Sequence, residues 1–108
     1  MFKKNKIKKL NTKNFHKLTN KIFIKIEKYL DNFSEKLDID YESNFQIIKI
    51  NIKLKNEIII SKQEFLKQIW IATKDQGYYF EYINNQWFCK RNKCEIFQLL
   101  NNIFIKKH

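Results

Sequence analysis

Ile48-Lys49-Ile50-Asn51-Ile52-Lys53-Leu54-Lys55 is the stretch on which the fold turns. Ile48, Ile50, Ile52 and Leu54 alternate with Lys49, Asn51, Lys53 and Lys55, so a pleated backbone sends every apolar side chain to one face and every polar one to the other. A helix would scatter the same residues around its circumference. The stretch reads as a half-buried antiparallel strand. Lys55-Asn56 can turn the chain into Glu57-Ile58-Ile59-Ile60. Further strands centre on Gln68-Ile69-Trp70-Ile71-Ala72, on Tyr78-Tyr79-Phe80-Glu81-Tyr82 and, past the Asn84-Asn85 turn, on Gln86-Trp87-Phe88-Cys89-Lys90. Upstream, Ile39 and Tyr41 alternate with Asp38, Asp40 and Glu42, which makes about six strands in all.

Both flanks of this region change period. Phe15, Leu18, Ile22, Ile26, Leu30, Phe33 and Leu37 recur at steps of three and four, with Tyr29 widening the stripe, and predict a helix from Asn14 to about Leu37 capped by Thr12 or Asn14. Ile96, Leu99, Leu100 and Ile103 predict a second helix, with Glu95 suited to its first turn and Lys106 and Lys107 to its last. Two terminal helices can cover one face of a single antiparallel sheet, so the expected class is α+β, a two-layer sandwich. Residues 1–13, basic and without a sustained period, are expected to be a flexible tail, and residues 14–108 the domain.

The 108 residues carry a formal net charge of +11, which first suggests a nucleic-acid binder. All bases but Arg91 are Lys, and Lys, Asn, Ile and Phe abound while Pro and Val are absent. AT-rich codon drift writes such a composition, and part of the charge is then no binding surface. Residues 27–42 reverse the sign: Glu27, Asp31, Glu35, Asp38, Asp40 and Glu42 oppose only Lys28 and Lys36. No apolar run approaches the roughly 20 residues of a membrane span, and no secretory leader follows the basic N-terminus. A soluble, unexported protein without a membrane partner is expected.

Enzyme motifs are missing. The single glycine, Gly77, excludes a Gly-rich phosphate loop, His16 and His108 lie at opposite ends of the chain, and Cys89 and Cys94 lack the companions of a zinc site. His16 reads as a partly exposed capping or packing residue. The acidic block is more informative. Glu27, Asp31 and Glu35 stand at i, i+4 and i+8, one column on the first helix, and Asp38, Asp40 and Glu42 share one face of the next strand. If that strand is a sheet edge beside the helix, the two groups form one ridge. Such carboxylates suit hard cations held loosely, or a basic protein partner; on pattern alone, a solvated face whose charges blunt an edge strand is the first reading. In the strand Gln68–Ala72, burying Ile69 and Ile71 turns Gln68 and Trp70 to the helix-free face, where an exposed Trp suits a protein partner.

The stretch Ser61-Lys62-Gln63-Glu64-Phe65-Leu66-Lys67-Gln68-Ile69-Trp70-Ile71-Ala72-Thr73-Lys74, followed by Gly77-Tyr78-Tyr79-Phe80, resembles the signature of the frataxin family, in its bacterial CyaY branch. Phe15-His16-Lys17-Leu18, Ile26-Glu27, Leu30-Asp31, Asp38-Ile39-Asp40, Trp87 with Cys89, and Leu99-Leu100 extend the likeness over about residues 14–104. The resemblance implies a helix-sheet-helix sandwich and a non-enzymatic, cytoplasmic role in iron–sulfur cluster assembly, as an iron-binding regulator or iron donor docking on the cysteine desulfurase and its scaffold protein. It implies iron (Fe²⁺ or Fe³⁺) weakly bound by surface carboxylates, and a monomer that can oligomerise on iron. By position, Asp31, Asp38, Asp40 and Glu42 match ridge carboxylates, and Gln68 and Trp70 the scaffold-facing surface; Glu27 and Glu35 complete the expected metal set. Lys28, Asn32, Ser34 and Lys36 stand where the branch usually has acids, and Phe65 replaces its usual proline. The rival reading is a small basic nucleic-acid-binding module using the Lys-rich tail and the sheet aromatics.

Overall fold

The structure is a computed structural model that describes residues 10–53 and 56–106, without side-chain placements for residues 34–37 and 106. Residues 1–9 of the expected tail, Leu54, Lys55, Lys107 and His108 lie outside the described residues. Helix α1 runs Thr12–Leu37. Its cap is neither Thr12 nor Asn14 but Asn11, whose side chain accepts a 2.8 Å hydrogen bond from the Asn14 backbone N–H. An Asn oxygen at that position satisfies one of the amides that the first turn leaves without a partner, and the helix therefore starts two residues earlier than its apolar stripe suggests.

The buried face of α1 is Phe15, Thr19, Phe23, Ile26 and Leu30, with Leu18, Ile22, Tyr29 and Phe33 half-buried on its flank. Phe23 is thus a core residue missing from the sequence pattern, which placed the stripe about one residue to the side. At Asp38 the backbone enters the left-handed region, φ 55°, and ends the helix. Asp38 is therefore a helix cap and not the first residue of an alternating strand, a role its short side chain tolerates better than a branched one would.

Seven strands follow, one more than expected: β1 (Ile39–Ser43), β2 (Ile47–Ile52), β3 (Asn56–Gln63), β4 (Gln68–Ala72), β5 (Gly77–Ile83), β6 (Gln86–Cys89) and the two-residue β7 (Cys94–Glu95). Each pairs antiparallel with its neighbours in sequence, in the order β1-β2-β3-β4-β5-β6-β7. The register opposes Ile48 to Ile60, Ile60 to Ile71, Ile69 to Phe80, and Tyr82 to Trp87, so the inward positions of consecutive strands form continuous apolar rows. Ile48, Ile50, Ile60, Ile69, Ile71 and Phe80 are completely buried there, each stabilising the fold by roughly 1.5–3 kcal/mol relative to exposure. Trp87 is 2% exposed, which places it in the core beside Phe15, 6.1 Å between ring centres.

Helix α2 (Ile96–Asn101) opens with a capping box: the Gln98 N–H donates to Glu95, and the Gln98 side chain accepts from the Glu95 N–H at 2.8 Å. It continues into a π-helical segment, Asn102–Lys106. Phe104, four residues beyond Leu100, is fully buried in the core, and Ile103, expected in the stripe, is half-buried beside it. Phe33 stacks on Phe104 and Tyr29 packs on Phe97, at 6.1 and 5.4 Å between ring centres, joining the two helices over the inner face of the sheet. No helix among the described residues is long and apolar enough to cross a membrane.

Candidate functional site: an acidic edge and an aromatic sheet face

β1 is an edge strand and lies beside α1, the arrangement that brings the acidic residues together. Inward-facing Tyr41 donates a 2.8 Å hydrogen bond from its hydroxyl to Asp31 Oδ1, and Ser43 Oγ donates to Glu27 Oε2 at 2.7 Å. Two residues of the helical column are thereby tied to the strand. Asp40 and Glu42 stand on the opposite face of β1, both exposed, and Asp38 sits at the corner between helix and strand. The expected single ridge is in fact a border with two sides. Glu27 and Asp31 lie above the sheet edge, Asp40 and Glu42 below it. The Glu35 side chain lies outside the described residues.

This border is electrostatically coherent without being a cage. Tyr41's hydroxyl is pushed up to about 12 by burial first, then by its hydrogen bond to Asp31 and the charges of Asp31 and Glu27. Among the described residues, no group of three or more His, Cys, Asp or Glu side chains is placed to hold a metal ion. What the edge offers a cation is therefore single or paired hard oxygen ligands with water completing the shell, the donor chemistry of weak, exchangeable binding. Cys89 and Cys94 face each other across β6 and β7 as free thiols. Burial, followed by Cys89 and Glu95, pushes the Cys94 thiol up and away from the thiolate form that metals need.

The helix-free face carries the second feature. Ser61, Trp70 and Tyr79 are neighbours across β3, β4 and β5. Trp70 is half-buried and not open to solvent as expected, because Tyr79 packs on it at 5.0 Å between ring centres and Gln68 Oε1 accepts its indole N–H at 2.7 Å. The Gln68–Trp70 pair is thus one locked unit. Tyr79, 44% exposed, is the site residue that sequence reasoning missed. Its signal was present, since assigning Tyr78, Phe80 and Tyr82 inward leaves Tyr79 outward. Glu81, beyond Gln68 in the register, pairs with Lys90 at 3.3 Å and gives this patch a charged rim.

His16 is partly exposed and bonds Glu64 at 3.0 Å, pinning the β3–β4 turn to the first turns of α1. That contact fixes the turn at Phe65, which is 95% exposed where the family's proline would stand.

A family model for the frataxin-like domain matches residues 8–107. The chain is 48% identical over 98 residues, covering 91% of it and 83% of the relative, to the iron-sulfur cluster assembly protein CyaY of Buchnera aphidicola subsp. Baizongia pistaciae. It is 46% identical over 99 residues to the protein of the same name from Buchnera aphidicola subsp. Acyrthosiphon pisum, covering 88% and 85%. Among solved structures, the frataxin of Psychromonas ingrahamii superposes with a TM-score of 0.81 at 26% identity over 91% of both chains. The trimeric frataxin of Saccharomyces cerevisiae, complexed with ferrous iron, shares the fold at a TM-score of 0.65 and 20% identity, over 93% of this chain and 88% of that one. With its seven-stranded meander, its two covering helices and a domain match over nearly its whole length, the chain belongs to the frataxin family, in the bacterial CyaY branch.

Proposed function

We propose that this chain is a non-catalytic, cytoplasmic component of iron–sulfur cluster assembly that binds iron weakly and docks on the cysteine desulfurase and the scaffold protein, as regulator or iron donor. The observation that carries this reading is the pairing of two surfaces on one rigid sheet: the carboxylate border of Glu27, Asp31, Asp38, Asp40 and Glu42 at its edge, and the locked Gln68–Trp70 unit on its open face. The name carried by the relatives at 46–48% identity supports the pathway. Iron is the cargo of the acidic border, with Glu35 as a further ligand, and the interruptions at Lys28 and Lys36 make binding weaker than an unbroken ridge would give. A basic surface on the desulfurase would complement the same border, and the scaffold would meet Trp70.

Cluster formation followed by absorbance, with desulfurase, scaffold and iron, tests the reading. Adding this protein changes the rate in an iron-dependent way, and no change at saturating protein overturns it. Amide shifts on titrating Fe²⁺ and Fe³⁺ localise to residues 27–42; shifts spread evenly over the domain remove the border as the iron site. Binding to nonspecific RNA at physiological salt, in place of a desulfurase interaction, would favour the rival nucleic-acid module.

A further inference from the structure

We propose that the cleft between α1 and the β1–β2 turn is a binding site for a small apolar monocarboxylate, whose carboxylate pairs with Lys62 while its apolar body lies between Ile24 and Phe45. The cleft encloses about 330 Å³, at the lower end of the roughly 300–1,000 Å³ usual for small-molecule sites. Its floor is Phe23 and Lys62, and its walls include Ile24 and Phe45, which are 55% and 81% exposed.

Lys62 makes the site more than an apolar dent. It sits on the inward face of β3, opposite Ile69, and is only 7% exposed. Its ammonium donates to Asn20 Oδ1 at 2.5 Å and lies 4.8 Å from the centre of the Phe23 ring. An amide and an aromatic face are both neutral, and Lys62 makes no ion pair among the described residues. Burial lowers its pKa, as expected for a cation taken from water without a counter-charge. Glu27 also lines the cleft and keeps its charge while accepting from Ser43, so an anionic head is held to the Lys62 end, where burial alone shifts the ammonium. A desolvated ammonium with donor capacity to spare, facing apolar walls, selects a ligand with an anionic head and an apolar body. A neutral alcohol of the same length lacks the charge, and an amine repels.

The test is an amide NMR titration of the full chain with hexanoate, hexan-1-ol and hexylammonium as separate probes. Hexanoate should shift residues 20–27, 43–46 and 62 saturably and bind at least about fivefold more tightly than hexan-1-ol, the margin of one charge-assisted hydrogen bond. Hexylammonium should bind least. The Lys62→Met variant, which keeps the volume and removes the charge, should hold the alcohol and lose the preference for the acid. Equal binding of acid and alcohol by the unmodified chain overturns the proposal without recourse to any variant. So do hexanoate shifts confined to the exposed lysines of α1, or an acid preference that survives in Lys62→Met.

Discussion

The acidic edge and the Trp70 face are built on opposite principles from one sheet. At the edge, carboxylates are spread over a helix, a corner and both sides of a strand; Asp40 and Glu42 are exposed, while Asp31 and Glu27 are tied down by Tyr41 and Ser43. On the open face, one indole is fixed by Gln68 and Tyr79 before any partner arrives. Preordered aromatic anchors carry binding energy at little entropic cost, whereas dispersed surface charges act over a Debye length and share their effect. If both surfaces bind as proposed, they fail differently: one substitution disables the face, while the edge erodes charge by charge.

Replacing Trp70 by Ala is the largest break. Scaffold affinity should fall by about 2 kcal/mol, roughly thirtyfold in Kd, while unfolding loses only the roughly 1 kcal/mol of the cross-strand contact with Tyr79, too little to unfold the domain. A change below threefold would remove Trp70 as an anchor. Reversing both Asp40 and Glu42 to Lys comes next: desulfurase binding should weaken by about 1 kcal/mol at low salt and converge with the parent protein at high salt, while scaffold binding stays put. Loss that persists at high salt would mean the edge is read by contact and not by field.

Tyr41→Phe is the smallest and asks whether the tied pair matters. It removes an exposed hydrogen bond to Asp31 and should cost about 0.5 kcal/mol in denaturant unfolding. It also carries a pH signature. Tyr41 and Tyr29 ionise near 12 in the folded chain against 10 when unfolded, so the folded state holds these protons more tightly; their stabilisation is complete below pH 10 and is lost as pH rises towards 12. The variant should lose part of that slope. An identical profile would show that the Tyr41 hydroxyl is already released at the edge.

Much of this arrangement was legible because period survives drift. The alternation from Ile48 to Ile52 and the outward turn of Trp70 rest on side-chain direction in a pleated strand, and no neighbouring residue alters that. Features set by backbone details were hidden. Asp38 continues an acidic alternation in the sequence, yet a left-handed cap removes it from the strand. Phe104, four residues beyond Leu100, is the fully buried residue of the last segment, while Ile103, the residue the stripe singled out, is only half-buried. Lys62 reads as surface by composition, although β3 runs beyond Ile60 and parity sends it inward. The acidic edge was found as a cluster in sequence, but its division above and below the sheet depends on which residues of β1 face α1.

The strictly sequential strand order also favours growth of the sheet through local pairings. Every strand pairs with the one just made, so the sheet can grow hairpin by hairpin through short loops, each closing in about microseconds. The costly closure is the one that joins the chain's two ends, where Tyr29 meets Asn101 and Phe104 across some seventy residues. Those contacts are the natural candidates to form after the barrier and to govern how slowly the finished protein comes apart. Loosening Tyr29 should therefore shorten the native lifetime while leaving the rate of refolding almost untouched.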